Sequence, residues 1–320
     1  MATAEFTASP ELLDLPATKA AAQIALAYLD EATAAALRLA DRSDEEALHD
    51  FRVAIRRLRV TLRAYPAVQD TLSRKQRRRL RKLARYTNPA RNAEVQVAWF
   101  RDRKTRFTRE QRTELDRVRT RLRARRRREL TGAQRKLQRW FAKLERKLRR
   151  RLEAVQHVPA NREAPFRTAL AATVARQAGE LNASLRAVRP GAPAADVHAT
   201  RIAAKRLRYL LEPVAVGVAS GADAVERLKG LQGMLGALTD GHELKIALEE
   251  ESRHGDAVTA ALKVLQAEQA EVFTKLGQDW SQAGPKLQQQ VRTITQQLRP
   301  SAKTPPSMRQ PTRRRREATV

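Results

Sequence analysis

Hydrophobic residues recur along most of the chain at intervals of three and four, the spacing of helices with one buried face. One clear example is the set Leu48, Phe51, Ile55, Leu58 and Leu62. No segment shows the sustained alternation or the enrichment in β-branched residues that is typical of strands. The pattern therefore predicts an all-α protein.

Two breaks interrupt this helical pattern. The connector Arg189–Pro193 contains two prolines and a glycine, so a new helix is expected to follow it. A second break, Asn161–Pro165, lies at the middle of the chain. It predicts a helical domain over residues 10–298 made of two halves, about 10–158 and 162–298.

Two strongly basic segments stand out. Residues 101–156 carry a narrow apolar seam that Thr131 and Gly132 are expected to break, which predicts a basic helical hairpin. This hairpin is either a solvated helical pair or an arm that extends a binding surface. Residues 299–320 contain several prolines and the run Arg313–Arg316. Such a composition cannot bury a core, so a disordered basic tail is expected there until it meets an anion.

The chain also contains an internal repeat. The segment His49–Arg59 resembles His198–Arg208 at a constant offset of 149 residues, with His, Arg, Ala, Arg, Leu and Arg recurring in step. A looser parallel joins residues 80–92 to residues 228–240. The repetition predicts two related helical halves packed about a pseudo-two-fold axis.

The repeat places its basic residues on one helix face. Positions 49, 52, 56, 59 and 63 fall within an arc of about 80° and span about 21 Å of helix axis. No acidic residue occurs between Phe51 and Val68, although a solvated face usually interleaves acidic and basic residues. Arginine forks suit bidentate phosphate contacts. The pattern predicts an anion-binding face formed by His49, Arg52, Arg56, Arg59 and Arg63, by His198, Arg201, Lys205 and Arg208, and by Arg78, Lys82 and Arg85 on the next helix.

Charge and composition narrow the classes of partner. The chain has 64 Lys and Arg against 35 Asp and Glu, a net charge of +29, which indicates an anionic partner. The absence of cysteine excludes disulfides, thiol nucleophiles and cysteine-based metal sites. The start of the sequence lacks signal-peptide features, and no apolar run is long enough to span a bilayer. We therefore expect a cytoplasmic protein with no membrane partner.

The two repeat histidines also raise the question of catalysis or metal binding. Arginines flank His49 and His198, and the local positive potential opposes a divalent cation. The pair His242-Glu243 lacks the second histidine of a zinc-protease motif, and the glycines at 230, 233 and 236 precede no GK[ST] sequence. No nucleophile and base stand in a recognisable pattern. We expect a protein that is not an enzyme and that holds no metal and no cofactor.

At this point the sequence resembles a known family. The paired motifs His49–Arg59 and His198–Glu212, followed by Leu231-Gln232, Leu235-Gly236 and Asp240, are similar to those of CHAD, the conserved histidine α-helical domain. The first-half counterpart, Thr87–Asn92, departs from the family pattern because asparagines replace its usual glycine and aspartate.

The resemblance implies two pseudo-symmetric helical bundles with a basic groove or pore between them, and a stand-alone module that binds inorganic polyphosphate. It further implies association with polyphosphate granules or polyhydroxyalkanoate granules. The resemblance adds Arg57 and Arg206 to the expected binding residues. Three other interpretations stay open. The chain could be a non-specific nucleic-acid-binding protein, with nucleic acid as its direct partner and not only a competitor of polyphosphate. It could also be a granule-coat interaction protein or a basic protein with no defined site.

Overall fold

The computed structural model describes residues 9–41, 44, 46–159, 163–250 and 255–299, and this part of the chain is helical with no strand. The predicted all-α class is confirmed. The helices are α1 (Ala17–Arg38), α2 (Ala47–Ala64), α3 (Pro66–Asp70), α4 (Arg74–Tyr86), α5 (Asn88–Asp102), α6 (Arg109–Gln156), α7 (Phe166–Leu185), α8 (Ala194–Leu211), α9 (Gly221–Glu250) and α10 (Asp256–Leu298), with short 3-10 turns at Pro10–Asp14, Lys104–Arg106 and Glu212–Val214.

Local sequence signals explain several of the helix ends. The side chain of Ser73 accepts a hydrogen bond from the backbone of Gln76, whose side chain accepts one from the backbone N–H of Ser73, so a capping box starts α4. Helix α8 begins directly after the predicted connector Arg189–Pro193, in which Gly191 takes a φ of +80°. Glycine adopts this left-handed conformation without strain.

The prediction of a basic hairpin over residues 101–156 is wrong. Residues 109–156 form one continuous helix of 48 residues, and Thr131 and Gly132 lie inside it. A single glycine costs a helix only about 1 kcal/mol, and the surrounding residues are strong helix formers. A Cβ atom at Gly132 would meet nothing within 4 Å, so packing does not require a glycine there.

A large hydrophobic core joins the two halves of the chain. It takes Phe51 and Leu58 from α2, Leu148 from α6, Leu207 from α8 and Ile294 from α10, all of which are buried. A smaller cluster at the other end of the long helices packs α5 and the start of α6 against the end of α9 and the start of α10. Because both clusters draw on both halves, the halves do not fold as separate hydrophobic units.

The helix order of the first half recurs in the second. Helix α8 follows α7 as α2 follows α1, and a short helical turn comes after each of them. The pseudo-two-fold relation inferred from the repeat stays a prediction. The predicted disordered tail falls at residues 300–320, which lie outside the described part of the chain.

None of the helices in the described ranges combines the length and the apolar character that crossing a bilayer requires.

Candidate anion-binding face

Helix α2 positions the first basic stripe. Its apolar residues Phe51, Ile55 and Leu58 are fully buried, which fixes the rotation of the helix. The adjacent face therefore lies at the edge of the core rather than in open solvent. As a result Arg52, Arg56 and Arg59 are half-buried, whereas His49 and Arg63 at the two ends of the stripe are exposed.

Helix α8 brings the second stripe opposite the first. The positive charge of Arg201 lowers the pKa of Arg52, and the positive charge of Arg56 lowers the pKa of Lys205. These pairs follow the same order along both helices, and the ion pair of Arg57 with Glu212, directly after α8, also joins the two elements. The two basic stripes therefore lie close to each other where α2 contacts α8. We call Arg52, Arg56, Arg201 and Lys205 the central cluster.

Burial and like charge both disfavour protonation in this central cluster. Burial, with smaller contributions from Arg56, Arg91 and Arg201, lowers the pKa of Arg52 to about 10. Burial, followed by Arg201 and Arg56, lowers the pKa of Lys205 to about 7, with Asp240 opposing the shift. A free protein that holds cations at this cost gains free energy when an anion enters between them.

Three guanidinium donors of the central cluster lack a hydrogen-bond partner among the described residues. Arg52 Nη1, Arg56 Nε and Arg201 Nε are buried and form no hydrogen bond within the described residues. Arg201 Nη1 lies 3.5 Å from Asp240 Oδ1, at the limit of a weak contact. A buried unsatisfied donor is costly in a folded protein, and an anion that reached these three atoms would satisfy them.

The two repeat histidines lie at one end of the central cluster, each about one helical turn before an arginine of the cluster. Burial, then the charge of Arg91, lowers the pKa of His49, and burial, then Arg201 and Lys205, lowers that of His198. Each imidazole is therefore mainly neutral at pH 7 and can donate one hydrogen bond. No group of three or more residues with His, Asp or Glu side chains is suited to a metal ion among the described residues.

The expectation that Arg57 binds the anion does not fit the structure. Arg57 is only 7% exposed and points away from the stripe, with its Nε 2.9 Å from Glu212 Oε2 and its Nη1 3.5 Å from Glu31 Oε2. Its guanidinium lies 5.8 Å from the ring centre of Tyr28 and 5.9 Å from that of Tyr209. In an α-helix this residue is rotated 100° from Arg56, and here that rotation carries it into the protein.

A second basic group continues the face beyond the central cluster. Burial, followed by the charges of Arg81, Arg85, Arg63 and Arg206, lowers the pKa of Arg59. Burial also lowers the pKa of Arg206, as does the charge of Arg63, while Glu180 opposes it. The basic face therefore extends from the histidine end of α2 to its C-terminal end.

The remaining predicted residues lie at the margins of this face. Arg208 Nε is 3.4 Å from Glu212 Oε1, so Arg208 contributes charge but already has an acidic neighbour. Arg85 is exposed on α4, and its positive charge contributes to the lowered pKa of Arg59. Arg78 and Lys82 are exposed on the same helix, and no described contact joins them to the central cluster.

A profile of the CHAD domain matches residues 23–249. The chain belongs to the CHAD family. The fold is similar to the crystal structure of the CHAD domain from the plant Ricinus communis, at a TM-score of 0.71 and 22% identity over 88% of this chain and 96% of that one. It is also similar to PptA from Streptomyces chartreusis, at a TM-score of 0.62 and 20% identity over 85% of this chain and all of the other. Among curated proteins none matches the sequence.

The CHAD fold also brings in residues that the sequence reasoning did not assign to the face. The positive charge of Arg91 on α5 lowers the pKa of both His49 and Arg52. Arg91 also forms an ion pair with Glu94, with 3.0 Å between Nη1 and Oε1. Gly236 on α9 lies under Arg201, because a Cβ atom there would be 3.4 Å from Arg201 Nη2. The motif Leu235-Gly236 thus lies in contact range of the Arg201 side chain.

Proposed function

We propose that this CHAD protein binds inorganic polyphosphate along the facing basic stripes of α2 and α8. The observation that carries the proposal is the set of three buried guanidinium donors without protein partners, Arg52 Nη1, Arg56 Nε and Arg201 Nε. Polyphosphate is a chain of closely spaced anionic oxygens, and guanidinium groups match such oxygens in charge and in geometry.

The burial of the central cluster favours polyphosphate over duplex nucleic acid. A duplex carries its phosphates on a broad cylinder and reaches exposed cations, of which α6 has many. Half-buried guanidinium groups between two helices are reached by a thin, unbranched chain instead. The family to which the chain belongs supports the same ligand, and binding would bring the protein to polyphosphate or polyhydroxyalkanoate granules. We propose a binding role without catalysis.

Competition between anions tests the choice of ligand. Labelled duplex DNA bound to the full chain is titrated with long-chain polyphosphate at equal phosphate concentration and fixed salt, since all electrostatic binding weakens with salt. Polyphosphate is expected to displace the duplex. If the duplex resists displacement, nucleic acid replaces polyphosphate as the proposed ligand.

A matched pair of triple variants tests the location of the site. Replacing Arg52, Arg56 and Arg201 by glutamine removes three charge-assisted contacts and is expected to weaken polyphosphate binding at least 100-fold. The control replaces Arg123, Arg125 and Arg127 on the exposed surface of α6, with the same change in net charge. A loss in the control as large as in the first variant would locate binding on α6.

A further inference from the structure

A second basic surface, separate from the α2–α8 face, lies between α4 and α6. It is a shallow cavity of about 450 Å³ whose lining includes Lys75, Arg79, Lys147, Arg150 and Arg151 and no acidic residue. We call these five cations the α4–α6 groove. None of them forms an ion pair within the described residues. A solvated helix surface would be expected to pair some of its cations with carboxylates.

The two helices that form this groove are held antiparallel by contacts near its two ends. The Gln76 side chain donates a hydrogen bond to the carbonyl of Lys147 at 3.3 Å near one end. Beyond the other end the rings of Tyr86 and Trp140 meet edge to face, with their centres 5.4 Å apart. From Trp140 to Arg151 the helix rises about 16 Å.

Trp140 presents an exposed aromatic surface on the same side of α6, about 10 Å of helix axis before Lys147 and outside the lining of the cavity. It is 42% exposed, and its orientation is fixed by contact with Tyr86. The helical period puts Trp140, Lys147, Arg150 and Arg151 within an arc of about 100° on α6, whereas Glu145 falls on another side. A flat aromatic ring and a row of cations therefore share one side of α6.

This combination distinguishes the α4–α6 groove from a polyphosphate site. A polyphosphate chain has no flat apolar group and gains nothing specific from an exposed tryptophan. A single-stranded nucleic acid presents both phosphates and unpaired bases, and stacking a base on an aromatic side chain contributes about 1–3 kcal/mol. At about 3.4 Å per stacked nucleotide, the groove accommodates about five nucleotides.

We propose that the α4–α6 groove binds single-stranded nucleic acid, with phosphates on its cations and a base stacked on Trp140. This site is separate from the proposed polyphosphate face, so either can be present without the other. Duplex nucleic acid is expected to bind the groove more weakly, because its bases are not free to stack on Trp140.

The test measures binding of a 12-nucleotide single strand to the full chain by fluorescence anisotropy. An abasic strand of the same length supplies the same phosphates without bases. The Trp140→Ala variant is expected to bind the normal strand about 10-fold more weakly, the abasic strand unchanged and polyphosphate unchanged. The Arg150→Gln, Arg151→Gln double variant is expected to weaken both strands and to reduce the salt slope by about 1.4.

Circular dichroism serves as the control that each variant keeps its helix content. The difference in tryptophan emission between the parent and Trp140→Ala gives a second measurement, because the chain has two other tryptophans. The normal strand is expected to quench the Trp140 part of the emission, and polyphosphate is not. The proposal is overturned if Trp140→Ala leaves the affinity for the normal strand unchanged, or if it weakens the two strands equally. Loss of single-strand binding in the Arg52, Arg56 and Arg201 variant, with the groove variants normal, would also overturn it.

Discussion

The burial of Arg57 gives a prediction that separates structural arginines from binding arginines. Replacing Arg57 by methionine keeps most of the side-chain volume but removes the cation beside Glu212, whose side chain is 5% exposed. Removing one partner of a buried ion pair costs about 3–5 kcal/mol, because the other charge stays buried. Arg208 lies 3.4 Å from the other oxygen of Glu212 and compensates in part. We therefore expect a loss near the lower limit, about 3 kcal/mol.

Denaturant unfolding followed by circular dichroism measures the free energy of unfolding of this variant. The control is Arg77→Met, which breaks an ion pair with Asp70, whose side chain is 72% exposed, and which is expected to cost less than about 1 kcal/mol. Polyphosphate affinity at a temperature where both variants are folded is expected to stay within about twofold of the parent. A loss of affinity in Arg57→Met without a loss of stability would refute the assignment of Arg57 to the interior.

Two further predictions follow from single residues. The pKa of Lys205 is lowered to about 7 in the free protein, and a bound polyanion is expected to raise it. Binding above pH 7 therefore takes up a proton. The affinity for the polyanion is then expected to fall by up to about tenfold per pH unit. Calorimetry at pH 8.5 in buffers of different ionisation enthalpy detects this uptake, which Lys205→Met is expected to reduce; equal uptake in the variant would contradict the assignment. Gly132→Ala is expected to stabilise the protein by about 0.5–1 kcal/mol in denaturant unfolding, because position 132 lies within a helix with free space around it. Destabilisation by this change would instead indicate a turn at 132.

The shift of Lys205 also affects the stability of the free protein. Its folded pKa of about 7 lies below the ordinary lysine value of 10.5, so between these two values the unfolded state binds more protons. This residue therefore disfavours the folded state below pH 7, and its penalty declines as the pH rises from 7 toward 10.5.

Much of the fold and the main basic face followed from helical periodicity. The spacing of Phe51, Ile55 and Leu58 is enough to fix which side of α2 is buried, and the adjacent side then carries Arg52 and Arg56. Periodicity gives the rotation of a residue about its own helix axis. It does not give the distance to a neighbouring element, so it could not show that Arg57 meets Glu212 in the turn directly after α8.

Physical causes also explain why the predicted hairpin was wrong and why two residues, Arg91 and Trp140, were not assigned from the sequence. A glycine inside a strongly helical segment signals a turn only weakly, because its local cost of about 1 kcal/mol is less than packing can supply along a 48-residue helix. Arg91 and Trp140 looked unremarkable because their partners, Arg52 and Tyr86, are distant in sequence. Only the fold places Arg91 of α5 near Arg52 of α2 and packs α6 beside α4.

The most direct test of the polyphosphate face is a crystal structure of the full chain grown with a short polyphosphate. We expect phosphate density between α2 and α8, with oxygens within about 3 Å of Arg52 Nη1, Arg56 Nε and Arg201 Nε. Phosphates bound only along the exposed surface of α6, with these three donors still without partners, would contradict it.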